Sequence, residues 1–174
     1  MRKMRVGFVL VLAMGLCVLL AAPALAGPPG QGEGTIPADV YGPIVQGYGL
    51  LMEGKYDAAA AQFEKATKLD NHNPFALNNL AAIEGQKGNY KAAMALLEQA
   101  TVKADKYKQK VAQTCFVAGL CNAVKPTKEL GATSTIAPII QDNIAKLKPK
   151  IAAMPPEPAS PPKMEHVPQP KKGK

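Results

Sequence analysis

The stretch Gly54-Lys-Tyr56-Asp-Ala-Ala59 returns further along the chain as Gly88-Asn-Tyr90-Lys-Ala-Ala93. The two copies are separated by a period of 34 residues, from Gly54 to Gly88. A fixed period of this length is typical of repeat folds, in which each unit is too small to bury its own apolar face and must stack on a neighbour. The repetition therefore predicts a stacked architecture, and it favours a binding role over an enzymatic one.

Within each unit, small and large apolar residues recur at the spacing of one helix face. In the first unit Ala59, Phe63 and Ala66 fall at i, i+4 and i+7, and the same pattern returns in the second unit. Gly54 and Gly88 stand where a helix would end, because glycine tolerates the left-handed conformation found there. Each unit is thus predicted to be a helix, a tight turn and an antiparallel helix. The residues expected to pack between these helices are Gly47, Gly54, Tyr56, Ala59, Phe63, Ala66, Ala81, Gly88, Tyr90, Ala93, Leu97 and Ala100.

The spacing of these residues resembles the tetratricopeptide repeat over roughly residues 40–101, a little over two units. The first unit matches with Gly47-x2-Leu50, Gly54-x-Tyr56, Ala59-x3-Phe63 and Ala66, and the second with Ala81, Gly88-x-Tyr90, Ala93-x3-Leu97 and Ala100. The sequence departs from the family at Pro43 and Leu77, where an aromatic residue is usual, and at Asn71, where a proline commonly closes the unit. The resemblance implies a helical-hairpin solenoid.

In the resembling family, the first helix of each unit lines a concave groove that binds a protein or peptide. Carried over to this chain, the partner-binding groove would contain Tyr48, Leu51, Met52, Asn78, Asn79, Ala82 and Gln86. The leading hypothesis is therefore an interaction module or adaptor that holds a protein or peptide partner in this groove. The alternative is a structural or assembly component of the cell envelope or of an extracellular complex, packing through its repeat end faces, with self-association possible.

About three units are usually needed for a stable stack, and the sequence offers a partial third. Val111, Cys115 and Ala118 fall at i, i+4 and i+7 and predict a helix over about residues 102–118. An apolar stripe from Ile136 to Ile151 predicts an amphipathic helix that caps the stack, the alternative being a partner-binding or membrane-surface helix. The predicted fold class is therefore all-α, with two clear repeats, a partial third, a capping helix and disordered ends.

The two ends of the chain differ from the middle in composition. Residues 1–26 have the features of a secretory signal: three cations, an apolar run, and the small-x-small box Ala24-Leu-Ala26. An uncleaved membrane anchor is the alternative. Residues 27–37 are predicted to be a flexible Gly/Pro leader, 38–153 the helical domain and 154–174 a disordered Pro/Lys-rich tail. We expect a small exported bacterial protein, periplasmic or extracellular.

The formal net charge of +8 is unevenly distributed. Residues 27–145 carry 11 lysines and 11 acidic residues, whereas 7 lysines and 2 acidic residues follow from Lys146 onward. Both arginines lie in the predicted signal, which argues against nucleic-acid recognition, because Arg supplies the bidentate contacts to bases and phosphates. The Lys-rich tail can add a weak, salt-sensitive attraction to an anionic membrane or wall polymer, or simply solubilise the protein.

The remaining chemistry of the sequence is sparse. Cys115 and Cys121 would be the two cysteines left after cleavage, and an oxidising compartment favours a disulfide between them, with two buried thiols as the alternative. His72 and His166 are the only histidines, and neither has two further metal ligands nearby in the sequence. Neither serine lies in a nucleophile motif. The sequence therefore predicts no catalytic residue, no cofactor and no metal site.

Overall fold

The structure is a computed structural model, and it describes residues 34–117 and 121–156. The predicted signal with its cleavage site, most of the leader and most of the tail lie outside the described residues. The described part contains five helices and two strands. They are α1 (Ala38–Met52), α2 (Tyr56–Leu69), α3 (Pro74–Gln86), α4 (Tyr90–Ala104), β1 (Gln109–Val117), β2 (Cys121–Leu130) and α5 (Ile136–Ala152).

The first four helices form two antiparallel hairpins, as the repeat predicts. Gly54 and Gly88 end the first helix of each hairpin with φ angles of 74° and 82°, in the left-handed region that glycine adopts without strain. The next residue after each glycine, Lys55 or Asn89, donates its N–H to a carbonyl five residues earlier, at 2.9 Å in both hairpins. This is the Schellman arrangement that satisfies the last carbonyls of a helix.

The packing inside the first hairpin depends on one close approach. Ala59, Phe63 and Ala66 are fully buried on α2, and Gly47 of α1 lies directly against the Phe63 ring. A Cβ atom added at Gly47 would lie only 2.6 Å from Cε1 of Phe63. The absence of a side chain at this position therefore allows the two helices to approach each other across an aromatic ring.

Helix α3 is the central element among the described residues. Asn73 caps its start, because the Asn73 Oδ1 atom accepts hydrogen bonds from the N–H groups of Phe75 and Ala76, both at 3.1 Å. Every residue from Asn73 to Ile83 is buried, so little of α3 is exposed to solvent. It contacts α1, α2, α4, α5 and both strands.

The predicted helix over residues 102–118 is wrong, and so is the purely helical fold class. Helix α4 ends at Ala104, and the chain then forms an antiparallel β-hairpin in which Cys115 lies opposite Ala123 and Val117 opposite Cys121. The segment is rich in residues that favour strands, including Val111 and Thr114. Over so short a run, a helix spacing and a strand alternation fit the same apolar residues, and the helix spacing was coincidental.

Helix α5 confirms the predicted amphipathic helix. Its buried stripe is Ile136, Ile140, Asn143 and Leu147. The helix packs more closely on α4 than on α3, just as α3 packs more closely on α2 than on α1. It therefore takes the place that the first helix of a third repeat would occupy, and the β-hairpin is an insertion before it. None of the helices in residues 34–156 that the structure describes is long and apolar enough to span a membrane.

Candidate functional site

The face formed by α1 and α3, here called the concave face, is covered by the chain's own β-hairpin. Strand β2 lies mainly against α3 and also contacts α1. The side chains that the sequence assigned to a partner-binding groove are on this face. Among them, Asn78 and Asn79 are completely buried, and both bind the hairpin rather than facing an open surface.

Asn79 binds the main chain of β2 through both ends of its amide. The Nδ2 atom donates to the carbonyl oxygen of Val124 at 2.8 Å, and the Oδ1 atom accepts from the Val124 N–H at 2.8 Å. Residues in an antiparallel pair exchange the same two bonds. The side chain of Asn79 therefore takes the role of a neighbouring strand along the free side of β2.

A second main-chain site lies two residues earlier, at Asn122. Asn78 and Asn143 each donate from Nδ2 to the Asn122 carbonyl, at 2.8 and 2.9 Å. The Oδ1 atom of Asn143 accepts from the Asn122 N–H at 2.8 Å, and its Nδ2 also donates to Oδ1 of Asn78 at 2.8 Å. Three buried amides from α3 and α5 thus satisfy the polar groups of β2. Neither the role of Asn143 nor the hairpin was predicted from the sequence.

The other predicted groove residues are divided between buried and accessible positions. Tyr48, Leu51 and Ala82 are buried, whereas Met52 is 60% exposed and Gln86 is half-buried. The hairpin lies on the face where the sequence placed this groove. Contact of these seven side chains with a partner stays a prediction.

The two cysteines of the hairpin are free thiols in the structure, and the predicted disulfide is not formed. Since Cys115 lies opposite Ala123, Cys121 is its diagonal neighbour, and diagonal Cα atoms in a sheet are about 7–8 Å apart, beyond the range of roughly 4.4–6.8 Å for a disulfide. Burial raises the pKa of the Cys121 thiol to about 11 and also raises that of Cys115. Burial, together with the adjacent Cys115 thiol, raises the pKa of Tyr48 to about 12.

An open groove lies on the other side of α3, between α2 and α4. It has a volume of about 580 Å³, and we call it the α2–α4 groove. Its lining residues on α3 are Leu77, Leu80 and Glu84 at i, i+3 and i+7. At about 100° per residue this stripe is opposite Asn78 and Asn79. The residues that line the groove are Glu64, Thr67, Asn71, Leu77, Leu80, Glu84, Ala92, Ala95, Leu96 and Gln99.

The α2–α4 groove combines an apolar floor with an acidic rim. Leu77 and Leu80 are buried at its base, at 2% and 9% exposure. Its described lining includes the carboxylates of Glu64 and Glu84 and no lysine or arginine. Just outside it, Lys87 pairs with Asp57 at 3.0 Å and lies close enough to interact electrostatically with both carboxylates. The Glu84 carboxylate accepts a hydrogen bond from Asn89 Nδ2 at 2.8 Å, which orients it at one end. This arrangement can bind an apolar side chain that has a cation beside it.

A smaller cleft of about 260 Å³ lies near the start of the described chain, where the Tyr41 hydroxyl donates to the Pro126 carbonyl at 3.2 Å and Lys128 lies 5.7 Å from the Tyr41 ring centre. Within the described residues, no three histidine, cysteine or acidic side chains come together in a group that could hold a metal ion. The described lining of the smaller cleft also contains no set of groups with an evident chemical role.

Comparison with known proteins supports the repeat assignment. Residues 50–113 match a family model described as tetratricopeptide repeat. The match extends from the end of α1 through α2, α3 and α4 into the first residues of β1. No curated protein and no solved structure gave a significant match to the chain.

Proposed function

We propose that this chain is a tetratricopeptide repeat protein that acts as a non-enzymatic protein-interaction module and binds its partner in the α2–α4 groove. The family match supports protein–protein interaction as the general role. The observation that carries the specific proposal is the contrast between the two faces of α3. The hairpin covers one face, and the other opens into a groove of about 580 Å³.

The shape and charge of the groove indicate the kind of segment it accepts. The α4 residues along it run from Ala92 to Gln99, a length of roughly 10 Å at 1.5 Å per residue. An extended peptide rises about 3.3 Å per residue, so the groove fits about three residues. Leu77, Leu80 and Leu96 would bury one apolar side chain, and a flanking Lys or Arg would lie near the carboxylates of the rim.

A photo-cross-linkable amino acid at Ala95, on the rim of the groove, tests this proposal in cells. We expect it to capture a partner that the same group at Gln141, on the exposed side of α5, does not capture. Capture should fall when Glu84→Lys reverses the charge of the rim and persist with Glu98→Lys, a matched change at an exposed residue of α4. Equal capture from positions 95 and 141, or capture unaffected by Glu84→Lys, would show that the groove is not the binding site.

Binding on the concave face is a second route, and it requires the hairpin to move. It is less favoured, because displacement would remove Asn79 and Asn143 from their main-chain partners without using the open groove. The two routes differ in one observable. Cys121 is completely buried, so a partner that displaces the hairpin would accelerate its alkylation, whereas a partner in the α2–α4 groove would leave the rate unchanged.

Assembly through the end face of the stack receives less support. The outward side of α5 carries mostly polar and small exposed residues, among them Gln141, Asp142, Ala145 and Lys148. A helix that packed further repeats or further copies would be expected to carry a second apolar stripe. Sedimentation of the chain over a wide concentration range would show a constant monomer mass under the groove proposal.

Export is also part of the proposal. Its support is the sequence of residues 1–26, with three cations before an apolar run and the Ala24-Leu-Ala26 box. Intact-mass analysis should find a chain that begins at Gly27 in the periplasmic or extracellular fraction. Retention of Met1 in a membrane fraction would instead support an uncleaved anchor.

A further inference from the structure

We propose that the carboxyl-terminal segment of this same chain, Lys163 to Lys174, reaches the α2–α4 groove and places about three of its residues in it at a time. The inference rests on the groove being the binding surface proposed above. It adds that the groove has an intramolecular ligand, with which a partner must compete. Three observations support it: the position at which α5 ends, the length of chain that follows α5, and the opposite charges of that chain and of the groove lining.

Helix α5 ends at the same end of the molecule as the acidic end of the groove. The Ser134 hydroxyl, just before α5, donates to the carbonyl of Ala104 at the end of α4, at 2.7 Å. From there α5 runs back along α4, so Ala152 lies near the start of α4. Ala92 and Glu84 line the groove at this end, because α3 and α4 are antiparallel.

The chain beyond α5 is long enough to reach the groove. The route crosses α4, a distance of about two helix spacings or roughly 20 Å. Pro156 is the last described residue, and a chain spans at most ~3.3 Å per residue, so about seven residues are needed. The chain from Lys163 onward is therefore long enough to extend into the groove.

The chemistry of the segment matches that of the groove. Residues 163–174 contain Lys163, Lys171, Lys172 and Lys174 against the single acid Glu165. The described lining of the groove has two carboxylates and no cation. Met164 and Val167 supply apolar side chains for the leucine floor, and Met adapts well to irregular apolar surfaces. Prolines at 168 and 170 favour an extended chain that a narrow groove accepts.

Zero-length carbodiimide coupling of the full chain, followed by peptide mass spectrometry, tests the inference. We expect amide links from Lys163, Lys171 or Lys172 to Glu64 or Glu84, within monomers and at a yield independent of protein concentration. Raising salt to 1 M should reduce the yield, because it shortens the screening length from ~10 to ~3 Å. The Glu64→Gln/Glu84→Gln variant should lower coupling of the tail lysines about fivefold or more. Each exposed ion pair increases the population of the bound tail only a few-fold, and this variant removes both.

The matched control is Glu98→Gln, which removes an exposed α4 carboxylate that does not line the groove and should leave tail coupling unchanged. Equal coupling of the tail lysines to Glu98 and Glu84 would overturn the inference, as would links found only between two chains. Absence of links together with retention of the tail on anionic vesicles would assign it to a membrane surface instead. If the photo-cross-linker at Ala95 captures a partner while the tail gives no links, the proposed function stands and only this inference fails.

Discussion

The side-chain amide of Asn79 makes both of the main-chain hydrogen bonds that Val124 offers on the free side of β2, each at 2.8 Å. A side chain thus completes a strand that has only one strand neighbour in the described structure. Because the contact is to the main chain, it holds the hairpin in place without depending on the side chain at position 124. The concave face of this repeat stack is therefore filled by a strand that belongs to the chain itself.

Removing the Asn79 amide should destabilise the whole domain. In Asn79→Ala the Val124 N–H and C=O groups remain buried without partners, and an unsatisfied buried polar group costs roughly 1–3 kcal/mol. We expect a loss of about 2–4 kcal/mol in the free energy of unfolding, measured by urea titration. Gln141→Ala, an exposed amide-to-alanine change on α5, is the control and should stay within about 0.5 kcal/mol. Equal midpoints for the two variants would contradict the role of Asn79.

Two glycines of the same helix should respond in opposite directions to the same substitution. Gly47→Ala places a methyl group 2.6 Å from the Phe63 ring, and overpacking of this kind costs about 1–3 kcal/mol. Gly49→Ala meets no atom within 4 Å, so it should stabilise the domain by about 0.5–1 kcal/mol through the helix preference of alanine. Thermal or urea unfolding of the two variants measures both signs. Destabilisation by both, or by neither, would show that α1 and α2 pack differently.

The sequence predicted the repeat pair because its determinants are local and periodic. Gly54 and Gly88 mark helix ends by their own conformational freedom, and the spacing of Ala59 and Phe63 places them on one helix face. These rules depend on residues a few positions apart. The four helices and the turns within each hairpin were therefore predicted correctly, whereas Gly54 and Gly88, expected to pack between helices, are exposed.

The hairpin escaped prediction because long-range contacts determine it. Asn79 binds Val124 from 45 residues away, and Asn143 binds Asn78 from 65 residues away. One signal was present in the sequence: Asn143 interrupts the apolar stripe of α5 between Ile140 and Leu147. A fully buried amide needs partners, so its position indicated a polar partner in the core.

The location of the open surface also required the structure. The resemblance to the tetratricopeptide repeat predicted that the first helix of each repeat forms the binding face. That prediction assumes that no other part of the chain covers this face. The floor of the α2–α4 groove was visible only as helix-spaced leucines at 77 and 80. Such residues are ordinarily core, and only the packing of α2 and α4 shows that they line an opening.

Both hairpin thiols should react with an alkylating reagent after unfolding, whereas in the native protein their rates of alkylation should differ. Cys121 is completely buried and Cys115 is only partly buried, and burial raises the pKa of both. Alkylation at pH 8 under native conditions should therefore modify Cys115 before Cys121, with both slower than a free thiol. Asn79→Ala should accelerate the modification of Cys121 by loosening the hairpin. Failure of both cysteines to react in denaturant without reductant would instead show that they are oxidised.

A cluster around Asp70 joins the end of α2 to the chain beyond α4. The Asp70 carboxylate, 11% exposed, accepts hydrogen bonds from the Tyr107 hydroxyl, from Asn73 Nδ2 at 3.2 Å and from Lys103 Nζ at 3.3 Å. Burial alone would raise the pKa of Asp70, but these donors outweigh it, and the pKa lies below its usual value. Burial and the adjacent carboxylate raise the pKa of the Tyr107 hydroxyl.

The lowered pKa of Asp70 predicts how stability responds to acid. A carboxylate with a depressed folded-state pKa contributes stability that is fully present above its unfolded-state pKa of about 3.9 and is lost as pH falls through the folded-state value. Asp70→Asn should therefore cost about 1.5–3 kcal/mol at pH 7, the typical contribution of a hydrogen bond to a charged group, and this cost should shrink as pH falls below about 4. Asp105→Asn, at the exposed end of α4, should show no comparable change. Urea titrations of the unmodified protein, Asp70→Asn and Asp105→Asn at several pH values measure these changes in the free energy of unfolding. If Asp70→Asn costs the same at neutral and acid pH, the ionised Asp70 carboxylate does not stabilise the contact between the end of α2 and the chain beyond α4.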